Sequence, residues 1–165
     1  MNDLFESYVA ALLRRGLAGA DIEVTEQGGL KYCLGEWREG ETCEGHLFQT
    51  RPDILLRHGG QIVAIIDTKW KAISEPFEGK GGVSQADVYQ LMAYSRIYDC
   101  DHLMLLYPSV PGSGGGERKS FGMTAGMERL RIAQVDIAAG RKIAIQSMGR
   151  LFADMSIRAQ VGTAA

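Results

Sequence analysis

Cysteine is scarce in this chain and follows no pairing pattern: Cys33, Cys43 and Cys100 are the three among 165 residues. An odd number without a Cys-x-x-Cys pair speaks against a disulfide framework and makes reduced thiols, and with them a cytoplasmic setting, the expectation. Cys33, Cys43 and His46 would supply three zinc ligands, but their spacing fits no usual finger and a fourth ligand is missing. No stretch approaches the roughly 20 apolar residues of a membrane span, and no basic segment followed by an apolar one opens the chain, so neither insertion nor secretion is expected. An excess of positive charge is also lacking. The 18 Lys and Arg against 20 Asp and Glu leave a net charge of -2, which argues against a protein that coats nucleic acid by bulk attraction. The glycine-rich stretch 111–117 lacks the Gly-Lys-Ser/Thr ending of a phosphate-cradling loop and reads as a linker between strands. There are no internal repeats.

With 45% apolar residues, the chain is long enough for one domain with an ordinary core. Residues 3–15 predict an amphipathic helix, with Leu4, Phe5, Tyr8, Val9 and Leu12 at helical spacing, Asn2 or Asp3 as its cap and Gly16 after its basic end. Residues 21–26 alternate like a strand with one wet face, and 30–34 can pair as another. Residues 53–57 and 61–67 are apolar and partly β-branched, with His58-Gly59-Gly60 between them as a turn signal. Five apolar residues in a row, 62–66, point to a central strand covered on both faces. The polar, glycine-bearing segment 72–83 reads as a loop able to close over a substrate. Ser84-Gln85-Ala86-Asp87 then resembles a capping box opening a helix through Tyr98. Further strands are expected over 102–107, 127–137 and 141–148, and the tail after Asp154 as helical or frayed. Helices alternating with strands in this order give an α/β layered fold with a mixed sheet.

Against that background Asp53, Asp67 and Lys69 stand out. Fourteen positions separate the two aspartates, enough for one strand, a Gly59-Gly60 turn and a second strand that returns both acids to the same end of a sheet. Asp67 and Lys69, two apart, share a face. A phosphodiester repels hydroxide, so its hydrolysis needs a cation to offset the phosphate charge and to generate a nucleophile from water. Mg2+ or Mn2+ prefers oxygen ligands and keeps several waters, so Asp53 and Asp67 would suffice as side-chain ligands. A lysine beside them can orient the water and offset charge on the phosphate. Singly, each residue reads more simply as a charge at a strand end; the set reads as a nuclease site. A local basic strip for DNA would come from Lys69, Lys71, Lys80 and the Arg118-Lys119 pair. On the helix from Ser84, Asp87, Gln90 and Tyr94 lie on one face, with Val88, Leu91, Met92 and Ser95 free to pack on the sheet.

Arg51-Pro52-Asp53, Asp67-Thr68-Lys69-Trp70-Lys71 and the run from Ser84 to Tyr94 resemble the PD-(D/E)xK nuclease core followed by a Gln-x-x-x-Tyr helix. The wording Asp-Thr-Lys-Trp-Lys, with Leu105-Leu106-Tyr107-Pro108 ending a strand, resembles the McrC family, the nuclease subunits of McrBC systems that restrict DNA containing 5-methylcytosine. The resemblance covers residues 1 to about 110. It implies a restriction-endonuclease-like core, an α/β fold with a mixed central sheet flanked by helices, over residues 1–155, followed by a tail, 156–165. It also implies a metal-dependent endonuclease acting on DNA, with Asp53 and Asp67 binding Mg2+ or Mn2+, the Thr68 carbonyl as a further ligand, and Lys69 assisting the water or the phosphate. Glu6 matches an acidic position near the metal, and Gln90 and Tyr94 match supporting positions. A GTP-driven McrB-type motor is the implied partner. Family members ordinarily engage it through an N-terminal region, whereas this sequence starts directly at the nuclease helix. Methyl specificity would then come from a partner. Two other readings stay open: a RecB-like repair nuclease, since Gln-x-x-x-Tyr occurs there too, and a non-catalytic assembly subunit that keeps the fold.

Overall fold

Two apolar layers, one on each side of a six-stranded sheet, organise the chain. The structure, a computed structural model, describes residues 1–71, 73 and 82–161, of which 154–161 are described as backbone alone. In chain order the elements are α1 (Asn2–Gly16), β1 (Glu23–Glu26), β2 (Lys31–Leu34), β3 (Leu47–Thr50), β4 (Ile54–His58), β5 (Gln61–Thr68), α2 (Gln85–Tyr98), β6 (His102–Pro108), β7 (Gly116–Gly122), β8 (Arg129–Val135) and α3 (Arg141–Val161). The sheet runs β1-β4-β5-β6-β8-β7, and β2 with β3 forms a separate two-stranded sheet. Pairing is parallel between β5 and β6 and between β6 and β8, and antiparallel elsewhere, so the sheet is mixed, as a restriction-endonuclease-like core requires. Among the described residues no helix is long and apolar enough to cross a membrane.

The period of two along each strand explains the layering. Ile54, Leu56, Ala64, Ile66, Met104, Leu106, Ala133 and Val135 face α1 and α3. Their neighbours Leu55, Ile65, Leu103, Leu105, Leu130 and Ile132 face α2. Apolar on both sides, β4, β5, β6 and β8 are therefore the buried centre. The hairpin between β4 and β5 closes as expected: His58 pairs with Gln61, and Gly59 and Gly60 take φ of 55° and 82°, a left-handed two-residue turn that a Cβ would oppose. Where α1 crosses α3, a Cβ on Gly149 would lie 2.8 Å from the Gly16 carbonyl, so the helices meet backbone to backbone.

Several expectations need correction. Residues 141–148 are not a strand but the first turns of α3; Ala144, Met148, Leu151 and Phe152 recur at helical spacing and bury, which outweighs the alternation of Ile143 and Ile145. Neither Asn2 nor Asp3 caps α1, because helical structure already begins at Asn2 and Met1 is the capping position without a side-chain bond. On α2 the buried face is Asp87, Leu91, Tyr94, Ser95 and Tyr98, while Met92 is 45% exposed. Strands β3 and β7 carry no clear apolar alternation, so the sequence pattern does not mark them. The expected closing loop lies, except for Ile73, Gly82 and Val83, outside the described residues, as does Lys80.

Candidate active site

The β4–β5 register decides where the two aspartates go. Ile54 pairs with Ile66, so one step outward Asp53 and Asp67 stand opposite each other at the same end of the hairpin. Pro52 holds the approach extended, and Gln27 donates its backbone N–H to the Asp53 carbonyl at 2.8 Å. The Asp53 carboxylate is fixed by Thr68, whose backbone N–H and hydroxyl both donate to Oδ2 at 2.8 Å. The resemblance implies a role for the Thr68 carbonyl alone; that its N–H and hydroxyl hold Asp53 is readable only from an acid and a threonine flanking one hairpin register.

Asp67 is buried, at 2% exposure. Burial, then the charge of Asp53, pushes its carboxyl up to about 6, against the opposing pull of Lys69. Lys69 Nζ lies 2.7 Å from Asp67 Oδ2, 3.3 Å from Asp87 Oδ1 and 3.5 Å from Gln90 Oε1. Burial works against its ammonium, but the bond to Asp67 and the charges of Asp67 and Asp87 outweigh it, and its pKa rises. The backbone continues in register here, with Lys69 N–H donating to the Leu106 carbonyl at 2.9 Å.

Helix α2 covers this end of the sheet because its N-terminus is fixed: Ser84 Oγ accepts from the Asp87 N–H at 3.1 Å, as the capping pattern predicted. Asp87, which the sequence places on one helix face with Gln90 and Tyr94, does more than open the helix. It pairs with both lysines, Oδ1 to Lys69 and Oδ2 to Lys71 at 3.1 Å. Although burial pushes its pKa up, the Ser84 bond and the two ammoniums prevail and lower it. One turn on, Gln90 Nε2 donates to the Tyr94 hydroxyl at 2.8 Å, which leaves Oε1 turned to Lys69. Burial raises the Tyr94 pKa.

From the other face of the sheet α1 brings Glu6, which is not a solvated helix glutamate: it is 6% exposed. Burial first, and the Asp53 charge second, raise it to about 7, while a hydrogen bond from Gln27 Nε2 at 3.3 Å opposes the rise. The neighbouring Phe5 ring packs at a tilt of 58° against Trp70, the residue after Lys69, with centroids 5.3 Å apart, so the helix start is tied to the site. The structure thus gathers Glu6, Asp53, Asp67, Thr68, Lys69, Gln90 and Tyr94 at one end of the sheet. It does not bring Arg118 and Lys119 there. They lie on β7, beyond β6 and β8, where Arg118 bonds Gln134 and the carbonyls of Ser113 and Gly114.

The donor set tests whether a cation fits. Asp53 and Asp67 offer hard oxygen atoms, and burial together with the Asp53 charge raises both Glu6 and Asp67, Asp67 even with the Lys69 ammonium at 2.7 Å, so the acids crowd more negative charge than the one lysine offsets. Among the described residues no group of three or more His, Cys, Asp or Glu is arranged around a metal position. The fit is to a hard cation that takes two carboxylates and keeps its waters.

A family model described as "McrBC 5-methylcytosine restriction system component" matches residues 1–108. No curated protein matches the chain. Among solved structures, a chain of the Thermococcus gammatolerans assembly described as McrB AAA+ hexamers with bound McrC superposes with a TM-score of 0.62 at 18% identity. The match covers 94% of the present chain and 33% of that chain, so the residues here span about a third of that neighbour's length. At this identity the likeness is one of fold.

Proposed function

The chain belongs to the family of McrBC 5-methylcytosine restriction system components, and from that premise we propose that it is a DNA endonuclease module of the McrC kind, dependent on Mg2+ or Mn2+. The observation that carries the reading is the meeting of Asp53, Asp67 and Lys69 at one end of the β4–β5 hairpin, with Asp67 buried and the lysine at 2.7 Å from it. A buried carboxylate opposed by a second, half-buried one is costly to fold, and a cation that the two would hold accounts for the arrangement. When bound, the cation would offset phosphate charge and lower the pKa of a water so that, on losing a proton, it becomes the nucleophile for the phosphodiester.

The chain's own residues do the rest. Asp53 and Asp67 would hold the cation, with Thr68 aligning Asp53 through two hydrogen bonds and adding its carbonyl as a further ligand. Lys69 presents its ammonium to the attacking water or to the developing charge on phosphorus oxygens. Gln90, oriented by Tyr94, steers that ammonium. Glu6, poised near neutrality by burial, is placed to accept a proton beside Asp53. DNA is the substrate. A GTPase motor of the McrB type is the partner, a reading supported by the neighbouring assembly in which McrC is bound to McrB hexamers.

The test is cleavage of 5-methylcytosine DNA with Mg2+ or Mn2+, alone and with an McrB-type GTPase and GTP. Asp67→Ala and Lys69→Ala should each lower cleavage by at least about a hundredfold while leaving the thermal melt cooperative. Undiminished cutting by either variant would sink the assignment.

A further inference from the structure

In the structure the Lys69 ammonium sits on Asp67 Oδ2, the carboxylate that the proposed cation needs. An ammonium and a divalent cation on one buried carboxylate repel each other, so loading is favoured when Lys69 withdraws from Oδ2. Two acceptors stand within a small shift of its present position: Asp87 Oδ1 at 3.3 Å and Gln90 Oε1 at 3.5 Å. Only the first carries charge. It is also held in place, because its helix start is capped by Ser84 and its other oxygen is paired with Lys71 at 3.1 Å. Lys71 in turn rests over the Tyr107 ring at 5.8 Å.

Resting on the nuclease reading above, we infer that Asp87 is a positioning residue for cation entry, drawing the Lys69 ammonium off Asp67 so that a divalent cation takes its place. Without the Asp87 carboxylate the lysine has one neutral alternative, the Gln90 amide, and stays on Asp67 as a competitor. Asp87 thus acts through Lys69 and not as a ligand. Once Lys69 has moved, it stays tethered beside the reacting phosphate, where its charge is needed.

Mn2+ titration of the whole chain without DNA tests this, by calorimetry or by the spin-resonance signal of free Mn2+. Asp87→Asn should weaken binding about tenfold, the scale of an outer-shell partner, and Asp87→Glu should restore most of it. Lys69→Met should bind at least as well as the parent, and in the Lys69→Met background Asp87→Asn should change nothing. Asp87→Ser repeats the comparison if the Asn variant folds poorly. Equal affinity of the parent and Asp87→Asn overturns the inference, as does an equal loss with and without Lys69, which would mark a field effect or a fold defect. Binding indifferent to Asp53→Asn overturns the metal-site reading itself. Binding that depends on Asp53 but not on Asp87 overturns this inference alone.

Discussion

Two hairpins follow one another on either side of Pro52, and they could hardly differ more. β4–β5 lies in the middle of the sheet, between β1 and β6, with α1 and α3 on one face and α2 on the other. β2–β3 pairs with itself, and Leu30, Tyr32, Leu34, Leu47 and Phe48 all remain exposed. Its attachment is at the base, where Thr50 Oγ1 donates to the Lys31 carbonyl at 2.8 Å, lies 2.6 Å from the Tyr98 hydroxyl, and Lys31 Nζ reaches the Ile97 carbonyl at 3.0 Å. Both hairpins contain apolar residues, so apolar content does not make the difference. Neighbouring strands and helices do: they turn one hairpin into a rigid holder of charge and leave the other to water.

The largest test of this contrast is a cavity. Ile65 is fully buried in β5, so Ile65→Ala should cost about 3–4 kcal/mol in urea unfolding, against less than about 0.5 kcal/mol for Leu34→Ala on the exposed hairpin. Comparable losses at the two positions would erase the distinction drawn between the hairpins.

The same contrast governs what the sequence disclosed. β4 and β5 were legible because a strand buried on both faces is written as an unbroken apolar run, Ile62 to Ile66, and because Gly59-Gly60 specifies the turn. Asp53 and Asp67 followed from the length of that turn. The sequence marks β2 only as able to pair and does not mark β3, since neither strand has a core face to impose a period. Residues 141–148 misled because Ile143 and Ile145 alternate, although Ala144 and Met148 are the residues of that stretch that bury fully, Ile145 packs only partly against them and Ile143 is exposed. At the site, residue types disclosed the acids and Lys69, but the burial of Glu6 and the double pairing of Asp87 depend on how α1 and α2 lie across the sheet. No local pattern encodes that.

The charge stored at the end of β4–β5 gives the next effect. Glu6 and Asp67 bind protons more tightly folded than unfolded, since Glu6 rises from 4.5 to about 7 and Asp67 from 3.8 to about 6. The folded chain therefore carries more protons across those intervals. Metal-free stability is greatest below them and falls as pH rises through them. The melting temperature should drop by several degrees between about pH 5 and pH 7.5, and Glu6→Gln should raise it at the upper end and flatten the profile. Saturating Mg2+ or Mn2+ should reverse the slope there if, as proposed, the ionised acids hold the cation. A metal-free melting temperature that climbs with pH would show these acids to be relieved in some other way.

A smaller change isolates how the buried hairpin aims its carboxylates. Thr68→Val removes the hydroxyl donor to Asp53 Oδ2 and keeps the backbone N–H at the same oxygen. About 1 kcal/mol of stability should go, together with a severalfold loss of Mn2+ affinity. If affinity and stability are both unchanged, the hydroxyl does not set the carboxylate.

The smallest effect belongs to the exposed hairpin, and there the sign is the test. Along β2–β3, Tyr32 pairs with Gln49 and Leu34 with Leu47, while Phe48 between them takes a φ of 56° at 71% exposure. A bulky residue in the left-handed region loses about 1–2 kcal/mol to contact between its Cβ and the backbone, and this one recovers little by packing. Glycine removes that contact at a cost of about 0.5–1 kcal/mol in chain entropy, whereas alanine keeps the contact. Phe48→Gly should therefore be more stable than Phe48→Ala by up to about 1 kcal/mol, the reverse of their order in an ordinary strand. In β5, where neighbours on both sides impose extended backbone, glycine should be the worse of the two. Should alanine prove the better residue at position 48 as well, Phe48 would be extended in solution and the two hairpins would differ in burial alone.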